Sequence, residues 1–182
     1  ACAAMIATFD FLREKGFENE EIFDFWREGL SKFAGLPHRL KFVREFEGVR
    51  FYDDSIATTP GSAIAALNSF EKPKILILGG SNKGADLSEL IEKIAKMPEQ
   101  ELRKVILMGA ESEKLAQKLI LSGFERFINL GVKTNMQEVV KTAFKNSKSG
   151  DVVILSPAHA SFDMFKSYVD RGEQFVENVN LL

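Results

Sequence analysis

The sequence predicts an α/β fold: a mostly parallel sheet of about six strands with one antiparallel strand and helices on both faces. Three observations lead there. From Lys74 onward, short apolar runs rich in β-prone residues alternate with runs at helical spacing, as crossover units require. Ile75 to Leu78 is apolar without interruption, the pattern of a strand buried on both faces of a parallel sheet. Leu40 to Phe46 and Val49 to Tyr52 are separated only by Glu47-Gly48, which reads as a hairpin and supplies the antiparallel strand.

The elements follow in order. Met5, Phe9 and Leu12 recur at helical spacing, and Gly16 stops this first helix. Asn19 is placed to cap a second helix with Glu20 and Glu21 in its first turn and an apolar set of Ile22, Phe23, Trp26, Leu30 and Phe33; Gly35 ends it. Two short helices with so much aromatic surface have too little to bury against each other and need a partner surface. After the hairpin, Thr59 as N-cap and Pro60 at the first helical position open a helix to about Phe70. The alternation then predicts strand 74–79, helix 86–97, strand 104–109, helix 111–122, strand 125–130, helix 135–147, strand 151–155 and helix 161–179, with Asp86 and Glu89 as a capping pair. The one boundary falls at Gly35-Leu36, giving segments 1–35 and 36–182.

Bulk properties exclude several function classes. A chain of 182 residues, 45% hydrophobic and with net charge −2, suits one packed domain with a small appendage. Its interspersed charges give no basic stripe for nucleic acid. The single cysteine, Cys2, cannot pair internally, and no Cys/His cluster has zinc spacing, so a reducing compartment, the cytoplasm, is expected. No apolar run approaches the roughly 20 residues that span a bilayer. Ala1 to Ala7 lacks a basic n-region, and the helical start without an initiator Met reads as a cut chain.

Ligands of such sheets gather beyond the carboxyl ends of the strands, here the loops Asp53–Thr59, Gly79–Gly84, Gly109–Glu113 and Ser156–Asp163. Gly79-Gly80-Ser81-Asn82-Lys83-Gly84 fails as a phosphate-binding P-loop, because Lys83 precedes glycine and alanine where a hydroxyl must follow; the G-x-G-x-x-G fingerprint is also absent. What remains is a lysine able to meet a carboxylate or phosphate, or simply a solvated turn residue. Ser161 is expected at the N-terminus of the last helix, as an anion-binding position or only a cap, with His159 as a loop residue. A Ser161/His159/Asp163 triad lacks the required geometry and the G-x-S-x-G elbow. Asp53 and Asp54 read as a magnesium or ribose site or as solvated turn formers, Arg39 as a phosphate contact or a surface charge, and Arg171 as a helix-surface charge.

Together, Gly35-Leu36-Pro37-His38-Arg39, Asp54-Ser55-Ile56-Ala57-Thr58-Thr59-Pro60, Leu78 to Asp86, and Leu155 to Phe165 with Arg171-Gly172 resemble the Mur ligases of peptidoglycan precursor synthesis. The last segment is most similar to the D-glutamate-adding branch. The resemblance implies a C-terminal, Rossmann-like Mur ligase domain at 36–182, preceded at 1–35 by the last helices of a central ATP-binding domain. It implies an ATP- and Mg2+-dependent ligase joining D-glutamate to UDP-N-acetylmuramoyl-L-alanine through an acyl phosphate, with the P-loop and most ATP and Mg2+ contacts on N-terminal and central domains outside this chain. No turnover is expected from the chain alone, and no metal ligand is assigned within it. Residue by residue, it assigns Thr58, Lys83, Ser161 and Tyr168 to D-glutamate, and Arg39 and Asp54 to the nucleotide. Ile56 departs from the lysine frequent in the family, and Tyr168 from phenylalanine. Two alternatives stand beside this reading: a non-catalytic binding domain of the same fold, and another glutamate-adding ligase such as folylpolyglutamate synthetase.

Overall fold

The computed structural model describes residues 2–32, 35–81 and 84–182, with side chains from residue 5 onward. The chain divides into two compact units, Ala1–Gly35 and Leu36–Leu182.

The first unit holds α1 (Cys2–Glu14) and α2 (Asn19–Lys32). Gly16, at φ +89°, ends α1 in a conformation that glycine adopts without steric cost. The cap of α2 differs from expectation. The Glu18 carbonyl accepts from Ile22 N–H and the Glu21 carboxylate reaches back to Glu18 N–H, while Asn19 Oδ1 accepts from Arg13. Phe9, Phe23 and Trp26 cluster with ring centroids 5.6–6.1 Å apart. Phe11, Phe23, Phe25 and Leu30 each remain about half exposed, so the pair leaves an apolar surface uncovered. Phe33 lies outside the described residues.

The second unit contains β1 (Lys41–Phe46), β2 (Val49–Asp53), α3 (Pro60–Asn68), β3 (Lys74–Gly79), α4 (Ser88–Lys96), β4 (Leu102–Met108), α5 (Ser112–Leu121), β5 (Phe127–Asn129), α6 (Met136–Lys145), β6 (Val152–Leu155) and α7 (Tyr168–Asn180). They form a six-stranded sheet in the order β1-β2-β6-β3-β4-β5. Among the described residues, β1–β2 is the only antiparallel one of its five strand pairs. The predicted fold class is therefore found, with β1 as an antiparallel edge.

Strand alternation sorts the core. Leu76, Leu78, Val105 and Leu107 face one side with Leu67 of α3, Leu90 and Ile94 of α4, and Leu115 and Leu119 of α5. Ile75, Ile77, Ile106, Met108 and Val153 face the other with Val139 and Val140 of α6 and Phe175 and Val179 of α7. From β3 the chain winds outward through β4 to β5, then returns through α6 to insert β6 between β2 and β3. That reversal falls at the carboxyl ends of β3 and β6, where sheets of this kind place ligands.

Three boundaries carry information. Thr59 caps α3 as expected, its hydroxyl accepting from Ser62 N–H. Asp86 acts from one position outside the cap of α4, accepting from both the N–H and the hydroxyl of Ser88; Leu87 occupies the cap position without a side-chain bond. The last helix begins at Tyr168, not at 161. Ser167 caps it by accepting from Asp170 N–H, and the Asp170 carboxylate accepts from Lys166 N–H. This reciprocal box sets the start because it satisfies two orphan donors at once.

Candidate functional site

The loops after β2, β3, β4 and β6 are joined by backbone hydrogen bonds. Asp54 N–H donates to Leu155, Gly79 N–H to Pro157, Ala158 N–H to Ala57 and Glu111 N–H to Gly80. Ser81 and Ala160 exchange a pair of bonds as an isolated bridge. Gly80, at φ +139°, permits this closeness, since a Cβ there would collide with the carbonyl oxygen of Ala160. Ala158 is held at φ +55°, a region costly for an L-residue, by its bond to Ala57.

Arg171 locks this assembly from α7. Read from sequence as a surface charge, it is fully buried. Its Nε donates to Ser55 Oγ at 2.9 Å, Nη2 donates to the Ser55 carbonyl at 2.9 Å, and Nη1 and Nη2 both reach the His159 carbonyl at 3.1 Å. Burial pulls its pKa down to about 10, opposed by the charges of Asp163 and Asp53. A guanidinium suits this role because its planar fork serves several acceptors from two loops.

Asp53 and Asp54 are also buried, at 1% and 4% exposure, and so are not solvated turn formers. Asp53 Oδ1 accepts from Ser55 N–H, and Oδ2 lies 2.7 Å from His38 Nδ1. Asp54 Oδ1 accepts from Leu40 N–H and Oδ2 from the Ser156 hydroxyl at 2.8 Å. Burial pushes the Asp54 carboxyl above its usual range, while those two hydrogen bonds and the charge of Arg39 act the other way. With these four oxygens engaged, the pair does not fit a magnesium site, and no cluster of three or more His, Cys, Asp or Glu among the described residues could hold a metal ion.

The sequence-assigned residues fall as follows. Arg39 is exposed beside Asp54. Thr58 is half-buried in the β2 loop, its N–H donating to the Ile56 carbonyl. Tyr168, 38% exposed at the start of α7, stands edge-on to His38 with ring centroids 6.2 Å apart. Ser161 is buried, and its carbonyl accepts from Met164 and Phe165; it lies in a turn, not at a helix terminus. The assignment of Lys83 lies outside the described residues. Thus Arg39 and Asp54 are neighbours, while Thr58, Ser161 and Tyr168 sit on loops and a helix start that Ser55 and Arg171 tie together. No triad forms: His159 Nδ1 is turned to the Pro157 carbonyl, and Asp163 Oδ2 accepts from Ala110 N–H.

Sequence reasoning missed Arg171, and it read His159 as a loop residue although that side chain is buried. One usable signal was Gly172, a glycine inside a helix, which marks close approach by another group. A Cβ at Gly172 would collide with His38 Nδ1 and come within 2.9 Å of Asp53 Oδ2. A surface cavity of about 570 Å³ lies elsewhere, between α4 and α5, and one of about 520 Å³ runs beside α7, with His38 and Asp53 in its wall.

Residues 38–159 match the family described as Mur ligase, glutamate ligase domain. A UDP-N-acetylmuramoylalanine–D-glutamate ligase from Caldicellulosiruptor saccharolyticus is 47% identical over 153 residues, covering 84% of this chain and 32% of that protein. The protein of the same name from Caldicellulosiruptor bescii is 40% identical over 182 residues, covering 100% of this chain and 36% of its own length. The chain thus spans about a third of the curated relatives it matches. Among solved structures, a MurF ligase from Thermotoga maritima in complex with ADP gives a TM-score of 0.53 at 22% identity, over 82% of this chain and 32% of that one. The UDP-N-acetylmuramoylalanyl-D-glutamyl-2,6-diaminopimelate–D-alanyl-D-alanyl ligase from Acinetobacter baumannii gives 0.62 at 15% identity, over 97% and 35%. These two likenesses concern the fold. The match over residues 38–159, more than half of the chain, settles the family: this chain belongs to the Mur ligase, glutamate ligase domain family.

Proposed function

We propose that this chain is the C-terminal part of an ATP-dependent ligase that adds D-glutamate to UDP-N-acetylmuramoyl-L-alanine in peptidoglycan precursor synthesis in the cytoplasm. Residues 36–182 are its C-terminal domain, and residues 1–35 are the last helices of the central ATP-binding domain. The observation that carries the proposal is the convergence of the β2, β3 and β6 loops at the switch point, in a chain that spans about a third of the D-glutamate ligases it resembles. The uncovered apolar surface of α1 and α2 supports a remaining partner domain.

In the proposed reaction the γ-phosphoryl group of ATP passes to the carboxylate of UDP-N-acetylmuramoyl-L-alanine, releasing ADP. The amine of D-glutamate then attacks the acyl phosphate, losing a proton and expelling phosphate as the amide forms. This chain's part is positioning. Lys83, Thr58 and Ser161 receive the two carboxylates of D-glutamate, Tyr168 flanks them, and Arg39 and Asp54 meet the nucleotide. Arg39 offers an exposed cation for phosphate beside the buried Asp54 carboxylate. Mg2+, which neutralises phosphate charge in such a transfer, is bound mainly by the domains outside this chain.

The test restores the missing N-terminal part and measures Lys83→Ala and Ser161→Ala. Both should weaken apparent affinity for D-glutamate by tenfold or more, the loss of a charge-assisted contact of about 1.5 kcal/mol. Unchanged affinity in both removes the site assignment. Amide formation by residues 1–182 alone removes the proposal that the catalytic apparatus is shared with missing domains.

A further inference from the structure

We infer that Ser55 is a positioning residue for the amino acid that the ligase joins: one buried hydroxyl fixes the start of α7 and, through Arg171, the β6 loop against the β2 loop. The inference rests on the ligase reading above and on its assignment of Thr58, Ser161 and Tyr168 to the amino acid.

Ser55 is fully buried, and each of its polar groups is engaged. Its N–H donates to Asp53 Oδ1 and its carbonyl accepts from Arg171 Nη2, both at 2.9 Å. The roles at the hydroxyl are fixed by its neighbours. A carbonyl only accepts, so Ser55 Oγ–H donates to the Tyr168 carbonyl at 2.7 Å; a guanidinium only donates, so Oγ accepts from Arg171 Nε at 2.9 Å. The first bond pins the residue whose ring flanks the proposed amino-acid site. The second orients the guanidinium that also holds the His159 carbonyl, two residues before Ser161, at 3.1 Å from Nη1 and from Nη2. Thr58 follows Ser55 on the same loop, in a turn closed by bonds from Ala57 N–H to the Asp54 carbonyl and from Thr58 N–H to the Ile56 carbonyl. Three side chains assigned to one ligand thus stand on three segments joined through a single oxygen.

The residues assigned to the nucleotide are held by other bonds. The Asp54 carboxylate accepts from Leu40 N–H and from the Ser156 hydroxyl, Asp54 N–H donates to the Leu155 carbonyl, and Arg39 N–H donates to the Leu36 carbonyl. None of these uses the Ser55 hydroxyl. Ser55→Ala keeps the backbone bonds to Asp53 and Arg171 and removes only the two made by Oγ, so it should disturb the amino acid and spare the nucleotide. This asymmetry separates positioning from general support of the fold, because a smaller folded fraction lowers the rate at every substrate concentration and leaves both KM values where they were.

The test has two parts. In residues 1–182, the Arg171 Nε–H resonance, assigned by its loss in Arg171→Lys, should exchange with solvent about tenfold faster in Ser55→Ala than in the parent. An equal rate overturns the bond on which positioning depends. In the protein extended to the length of its relatives, Ser55→Ala should raise KM for D-glutamate about tenfold and keep KM for ATP within about twofold of the parent. Ser55→Cys, which retains a weaker donor and acceptor, should fall between the two, and it carries the same comparison if Ser55→Ala does not fold. Val140→Ala, a buried change in α6, should lower stability and leave both KM values unaltered. An unchanged KM for D-glutamate in Ser55→Ala, or an equal rise in both KM values, overturns the positioning role, while amide formation by the parent upholds the ligase reading. A parent that forms no amide with D-glutamate removes that reading, and the part of Ser55 in amino-acid binding with it.

Discussion

Replacing Arg171 with methionine tests what holds the loops together. Methionine keeps an unbranched stem of similar length but removes the guanidinium, so the Ser55 and His159 carbonyls lose their donors and Ser55 Oγ loses the Nε–H it accepts. Each buried acceptor left unmet costs about 1–3 kcal/mol. Against this runs the relief of no longer burying a cation, the same burial that draws the Arg171 pKa down to about 10. With three acceptors stranded and one desolvation penalty recovered, the net loss is about 3 kcal/mol, a large part of the roughly 5–15 kcal/mol of a domain this size. The assay is native-state amide exchange at Ile77, Ile106 and Ile154, in central strands of the second unit. Tryptophan fluorescence is unsuitable because Trp26 lies in the first unit. Arg171→Lys should recover less than half of the loss, since an ammonium lacks the planar fork. A methionine variant within about 0.5 kcal/mol of the parent would refute the view that Arg171 is the clamp.

Two further substitutions have signs that separate competing effects. Gly172→Ala should stabilise a free helix by about 1 kcal/mol on propensity alone, but the collision with His38 and Asp53 predicts destabilisation by about 1–3 kcal/mol, read by the same exchange experiment. For Asp54, the folded pKa lies above its unfolded value, so the folded state binds the proton more tightly. Stability from this group is full below about pH 3.9 and is lost as pH rises through the folded pKa. Asp54→Asn should therefore gain stability relative to the parent at neutral pH, a gain that shrinks below pH 4 in urea titrations followed by circular dichroism. A gain that persists undiminished at acid pH would exclude ionisation as its source.

Much of this protein was legible from residue order alone. The buried strand Lys74–Gly79 was read with both ends in place because an uninterrupted apolar run bounded by glycine leaves few alternatives. The hairpin, the Thr59 cap and the alternation of strands and helices are likewise local signals, and the quoted motifs carried the family. The start of α7 was misplaced because Ser161 and Ser167 are both competent caps, and only the Asp170 carboxylate reaching Lys166 N–H distinguishes the second. Burial of polar groups was the larger omission. Nothing in the neighbours of Arg171 says that its guanidinium crosses to Ser55, 116 positions away, or that Asp54 meets Ser156, 102 positions away. Sequence thus determined the elements, the class of fold and the loops at its ligand-binding end, because periodicity and turn chemistry act over a few residues. Tertiary structure decided the strand order and which charges sit inside, because desolvation and hydrogen-bond satisfaction depend on groups that meet only when the sheet is assembled.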